Sequence, residues 1–322
     1  MSYLSGMSTK LKTIAAAIAL TAGMGIFAHQ AYAGPVIIDG SDAEEHGSFN
    51  GTVNLNGWEY FQRGFENLLP QVGNGNTVAV CLGCTANTQT AFASAFDRAT
   101  KPAGWTRETI DGAALITSYF AGTLARTLAN TGLLYFPTGG NTAGGITAAE
   151  LAVLNANAAA INSFVGGAGI PAAGGGLFAH GEGNTAGAWG WLTTLIPGIV
   201  ATETGDNAPI QLTAAGVAAF PGLTNADIQG ATPWHNFFGG SFGGLDVLVQ
   251  TTSGPAGRAV VLGGGAGTQI GCGEPGQPPC VSCGQPGQPA CSVPVPGVLT
   301  LLALGFLGML SVMRRKVSYL RS

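Results

Sequence analysis

Between about residues 75 and 265, short apolar runs alternate with longer stretches of helical periodicity, and few architectures accept that order. Trp58, Phe61, Phe65 and Leu68 recur at helical spacing until Pro70 stops the run. A strand follows over Thr77 to Leu82, then a small-residue helix from Asn87 to Ala99. Trp105 to Ile110 alternates as a half-buried strand does, Leu115 to Leu128 reads as helix, and Leu133 to Phe136 is a short buried strand ended by Pro137. Thr147-Ala-Ala-Glu150 is a capping box, in which hydroxyl and carboxylate each satisfy a free backbone N–H. Leu151, Leu154, Ala158, Ile161 and Val165 then line one face of a long helix that Gly166-Gly167 ends. Gly174 to Ala179 reads as strand, Trp189 to Ile196 and Ala214 to Phe220 as helices. Asp246 to Thr251 and Arg258 to Leu262 close the series as strands. Strands separated by helices in this way form right-handed βαβ units. The expected class is α/β, a mostly parallel sheet flanked by helices, over residues 34–267.

The two ends of the 322-residue chain carry a different kind of information. Lys10 and Lys12, the apolar run from Ile14 to Phe27 and Ala31-Tyr32-Ala33 have the three parts of a secretory signal, with cleavage directed by Ala31 and Ala33. At the other end, Gly297 to Met313 is a second apolar run, long enough at about 1.5 Å per residue to reach the short limit for a bilayer span. Val293-Pro294-Val295-Pro296 precedes it, and Arg314-Arg315-Lys316 follows at once and should remain cytoplasmic. Between these ends, residues 34–296 hold six cations against sixteen acids, a net of −10. Phosphate backbones would repel such a body, so nucleic acid is excluded as a partner.

The tail resembles the PEP-CTERM sorting signal of Gram-negative bacteria, in which a short Pro-containing motif, a transmembrane stretch and a basic end are recognised by an exosortase. The resemblance covers residues 293–316, with Val295 where the namesake motif has Glu. It implies processing by signal peptidase and exosortase, transient anchoring in the inner membrane, and delivery to the cell surface or the exopolysaccharide matrix.

Six cysteines in an exported chain favour disulfides over metal. Four lie in an eleven-residue repeat, Cys272 to Cys280 and Cys283 to Cys291, within a Pro/Gly-rich stretch that forbids helix. Residues 268–296 therefore read as an extended stalk, with Cys272–Cys280 and Cys283–Cys291 as the expected pairs among three possible connectivities. A zinc site at Cys280 and Cys283 has no histidine nearby to complete it. The remaining C-x2-C, Cys81 and Cys84, sits at a strand end, where a structural disulfide is favoured over a redox motif, whose first cysteine begins a helix.

The body resembles the class I glutamine-amidotransferase-like superfamily, a flavodoxin-like group that includes trehalose-utilisation-type proteins. The residues that carry this are Leu133 to Pro137, the helix 147–165, Gly174 to Glu182, Trp234-His235-Asn236 and Val260 to Gly264. Catalytic members end the strand equivalent to 174–179 in a turn that presents a nucleophilic cysteine. Here that turn falls at Ala179 or His180, so the nucleophile is not carried over and glutamine hydrolysis by that route is rejected. His180, Glu182 and His235 remain as candidates for metal binding or acid–base work, since all three fall just after expected strands or in nearby loops.

The acidic stretch Asp39 to Glu45 lacks the spacing of an EF-hand and reads as a solvated entry segment. Gly263 to Gly267 lacks the order of a nucleotide-binding fingerprint. No cofactor or metal is therefore expected. The expectation is an exported, surface-sorted protein with a non-catalytic domain in the envelope or exopolysaccharide matrix. Trp189, Trp191, Trp234, Phe237 and Phe238 would be available to stack on a glycan. The alternatives are a secreted hydrolase using His180, Glu182 and His235, and a passive matrix or adhesive protein.

Overall fold

The structure is a computed structural model that describes residues 34–139, 144–166, 174–181, 186–229, 235–253 and 257–264. The signal segment, the stalk with its four cysteines, the apolar tail, Glu182 and Trp234 lie outside the described residues. Among the described residues, no helix is long and apolar enough to cross a membrane.

The α/β class holds, built on a ten-stranded mixed sheet. In chain order its strands are β1 (Val36–Asp39), β4 (Val78–Leu82), β5 (Thr106–Ile110), β6 (Leu133–Phe136), β7 (Gly176–His180), β8 (Ile199–Asp206), β9 (Ile210–Leu212), β10 (His235–Gly240), β11 (Asp246–Thr251) and β12 (Ala259–Gly264). A small hairpin of β2 (Gly47–Phe49) and β3 (Asn54–Asn56) stands apart. One contiguous block, in the order β5-β4-β6-β7-β1, is parallel throughout. The remainder is antiparallel. β12 pairs with β1 through Val261 to Gly264 and with β10 at Ala259 along one edge, and with β11 along the other.

Each buried strand shows an apolar side chain to both faces of the sheet, as parallel strands covered by helices must. On one face, Ile37, Ala79, Cys81, Leu133, Tyr135 and Phe178 meet α1 (Gly57–Leu68) and α2 (Ala86–Arg98). Tyr60, Phe61, Phe65 and Leu68 of α1 are buried at three- and four-residue spacing. Each such side chain contributes roughly 1.5–3 kcal/mol of burial. Gly64 is dictated by this contact, because a Cβ there would stand 2.4 Å from the Phe178 ring. The opposite face packs against α3 (Ala113–Phe120), α4 (Ala148–Ala156), α5 (Ala158–Gly166) and α6 (Leu192–Leu195).

Several expected helices are shorter than their periodicity suggests. The helix expected over 115–128 stops at Phe120, where Gly122 takes φ +74° and turns the chain. The helix expected over 147–165 keeps its capping box, with Thr147 N and Oγ1 donating to Glu150 at 2.7 and 2.8 Å. It breaks at Asn157 into two, because that residue leaves helical geometry and its side-chain amide donates to the Val153 carbonyl at 2.8 Å. Only Leu192–Leu195 of the stretch 189–196 is helical, the tryptophans before it lying in turns.

In open α/β sheets ligands sit outside the carboxyl ends of the strands, where the chain order reverses. Here the reversal falls between β4, which leads outward to β5, and β6. The chain's own backbone crosses that position, with Thr85 N donating to Gly144 O and Ile146 N to Thr138 O, both at 2.8 Å.

Candidate functional site: a buried histidine between two carboxylates

The parallel register of β1 on β7 sets Asp39 directly beside His180, each the last residue of its strand. Period-two alternation turns both side chains to the aromatic face that Ile37 and Phe178 also occupy. Asp39 Oδ2 lies 3.2 Å from His180 Nε2, and Ser41 N donates to Asp39 Oδ1 at 2.8 Å. From the loop after β1, Glu44 returns to the other side of the ring, its Oε2 2.6 Å from His180 Nδ1. Its second oxygen accepts from Thr138 N at 2.5 Å and from the Tyr135 hydroxyl at 3.2 Å. Tyr135 Oη is also 3.1 Å from His180 Nδ1. The rings of Phe178, Phe61 and Tyr135 enclose the imidazole at 4.6, 5.0 and 5.4 Å. The side chains of His180, Asp39 and Glu44 have no solvent exposure.

Electrostatics follow from that geometry. Burial opposes a charge on His180, but Glu44 and Asp39 outweigh it and raise the imidazole to about 10, so it is an imidazolium at neutral pH. For both carboxylates burial acts upward, and the His180 charge with the Ser41 and Thr138 amides overcomes it, holding them below their ordinary range. Two anions and one cation leave a buried net charge of −1. The hydroxyls of Tyr60 and Tyr135 face it, and burial with the neighbouring carboxylates pushes both phenols well above their usual range. Such a cluster is costly to desolvate and costly to break.

His235 behaves in the opposite way. It begins β10 opposite Asp206 of β8, is buried, and is pushed down by that burial despite the Asp39 charge. It is therefore neutral at pH 7. The next residue, Asn236, straps the site, with its backbone N–H donating to Gly40 O at 2.6 Å and its Nδ2 to Gly181 O at 2.8 Å.

Of the three expected catalytic candidates, His180 lies within the sheet's core, not in an exposed loop. Its partners are Asp39 and Glu44. His235 sits nearby and uncharged, and Glu182 lies outside the described residues. The stretch Asp39 to Glu45 is not a solvated entry segment, since Asp39, Ser41, Asp42 and Glu44 are all buried. Among the described residues, one space touches His180, walled by Phe136, Ile146, Leu154 and Trp191, and it is about 10 Å³, the lower limit for a single water. The proposed stacking surface is also corrected. Trp189, Trp191, Phe237 and Phe238 are 1–5% exposed and belong to the core, while Trp234 lies outside the described residues.

Cys81 and Cys84 form a disulfide with Cα atoms 5.8 Å apart. It closes around Gly83, which takes φ +87° and leaves room for Ile146 and the Glu150 carboxylate. At the opposite end of the parallel strands lies an open groove of about 560 Å³, lined by Asn74, Asn76, Phe120, Thr127, Leu128 and Ser163 among others. No family model, curated protein or solved structure matches this chain.

Proposed function

We propose that this chain is an exported, surface-sorted bacterial protein whose flavodoxin-like, amidotransferase-like domain is non-catalytic and serves as a structural module of the envelope or exopolysaccharide matrix. The observation that carries the reading is the state of His180. It stands at the strand end where the resemblance places a nucleophile, yet Asp39 and Glu44 flank both its ring nitrogens and, among the described residues, the space against it is about 10 Å³. A general base needs access to the proton it removes. An imidazolium held between two carboxylates has no free lone pair.

Export rests on the two terminal segments, and two structural facts support it. The Cys81–Cys84 disulfide suits an oxidising compartment. Gly34, the first residue after the expected cut, is buried and donates its N–H to Val165 O at 2.9 Å, so a chain cut after Ala33 would keep that contact. A second reading, glycan binding, draws on the open groove and not on the tryptophans, because Asn74, Asn76 and Phe120 line a space of ligand size there.

Cell fractionation tests the sorting. In a host deleted for its exosortase, the full chain is expected in the membrane fraction with its tail uncut, whereas normal processing there would overturn the assignment. Matrix polysaccharide added to the mature protein should leave the polymer intact. A rise in melting temperature that Asn76→Ala abolishes would establish the glycan reading over the passive one. Polymer cleavage that His180→Gln removes would overturn both.

A further inference from the structure

The segment that connects β1 to the hairpin has an inner and an outer set of ligating groups. Asp39 and Glu44 face His180 inside. Asp42, Glu45 and His46 form a second group, at spacing i, i+3, i+4 around one turn closed by Glu45 N donating to Asp42 O at 2.9 Å. One ligand atom from each of the three lies within 4.8 Å of the other two. Asp42 is 1% exposed, and its Oδ2 is 3.0 Å from His46 Nε2. Its Oδ1 is buried and has no hydrogen-bond partner among the described residues. An orphaned buried carboxylate oxygen costs stability unless something positive reaches it. Glu45 and His46 are half-buried.

We propose that Asp42, Glu45 and His46 form a binding site for one divalent transition-metal ion of the zinc class. The donor set selects the ion. An imidazole with two carboxylates suits zinc and its neighbours, whereas calcium takes six or more oxygens and would gain nothing from His46. Three protein ligands leave one position of a tetrahedron to water. Ligand atoms about 2.0–2.2 Å from a zinc ion stand roughly 3.4 Å from one another, so small rotations of Glu45 and His46 complete the geometry. The backbone behind the site is already fixed. Trp58 Nε1 donates to Glu44 O at 2.8 Å, and Gly57 is glycine because a Cβ there would strike the Ala43 carbonyl. Glu44, anchored by His180 and Thr138, pins the turn from the inside. The site does not depend on the export reading.

The test is a thermal melt and a calorimetric titration of the full chain with ZnCl2, MnCl2 or CaCl2, in the wild type and in Glu45→Gln and His46→Gln. These two residues are half-buried, so their variants should fold, and Glu45→Gln leaves the His46–Asp42 contact in place. Zinc at about a hundred times its dissociation constant should raise the melting temperature by roughly 5–10 °C. Either variant should lose most of that rise, along with one equivalent of bound zinc per chain. Zinc binding by the cysteine-rich stalk would be unchanged in both variants, so an equal rise in wild type and variants overturns the proposal. A rise with calcium but not zinc, or no rise at all, does the same.

Discussion

The two ends of the parallel strands are built on opposite plans. At the carboxyl ends, where open α/β sheets conventionally bind ligands, Asp39, Glu44 and His180 pair as ions in a buried cluster beside aromatic rings. At the amino ends an open groove is lined by Asn74, Asn76, Phe120 and Ser163, and none of its lining residues is charged. The difference teaches that position in a fold does not assign function. At the conventional position the described ionisable groups pair with one another, and the open groove lies at the other pole.

The contrast is broken most directly by removing the cation. His180→Ala leaves two buried carboxylates unpaired and should cost about 3–5 kcal/mol in urea denaturation, or prevent folding. If it cost less than about 1 kcal/mol, the cluster would be hydrated and the closed end not closed.

Titration gives the next largest effect. Because His180 is raised to about 10, its stabilisation is complete below the ordinary histidine value near 6.5 and is lost as pH rises toward 10, with a slope of up to about 1.4 kcal/mol per pH unit. On the acid side, Asp39 and Glu44 are held low and contribute above the ordinary carboxylate range, and they lose that contribution as pH falls through it. His235, held neutral, adds a separate loss as pH drops below about 6.5. Denaturant midpoints at pH 6, 8 and 10 should therefore fall steadily. A flat profile over that range would mean that His180 is not charged in the fold.

Smaller still is the disulfide. Replacing Cys81 and Cys84 together by alanine should lower stability by about 2 kcal/mol, as expected for a bridge that closes a very short loop. Reducing agent should reproduce the effect in the wild type and leave the double variant unchanged. Least of all, Ser163→Ala at the exposed rim of the groove should change stability by no more than about 0.5 kcal/mol. A larger loss would make the groove part of the core and remove the distinction between the poles.

Much of the α/β frame is readable from local pattern. β4, β6, β7 and the Thr147 capping box each announce themselves within a few residues. β1 does not, because Val36-Ile-Ile-Asp39 is only four residues long, abuts the expected leader and ends in an acid. Charged side chains are almost never fully buried unless paired, so Asp39 and Glu44 read as solvated. Their partner, His180, lies on a strand met much later in the chain, and nothing local links them. His180 itself was legible as a polar residue at a strand end, but its burial was not. Likewise β8, with Thr202 and Glu203 among its residues, and β10, with a pair of glycines, lack the apolar alternation that marks a strand. The tryptophans mislead in the other direction, since Trp189 and Trp191 pack on each other and on Phe136 and Phe238 instead of on a ligand.

The pairing of β1 also bears on the order in which the molecule assembles. The first described strand lies between β7 and β12, the latter being the last described strand in the chain. Val36 sits opposite Gly264, so the first and last described strands meet in one ladder. Such long-range closure makes folding slow, because the ends must find each other before the sheet is rewarded for it. The described sheet cannot close while its later strands are still on the ribosome, and release of β12 becomes the event that completes it. On the export reading proposed above, that delay would keep the chain extended for passage through a membrane.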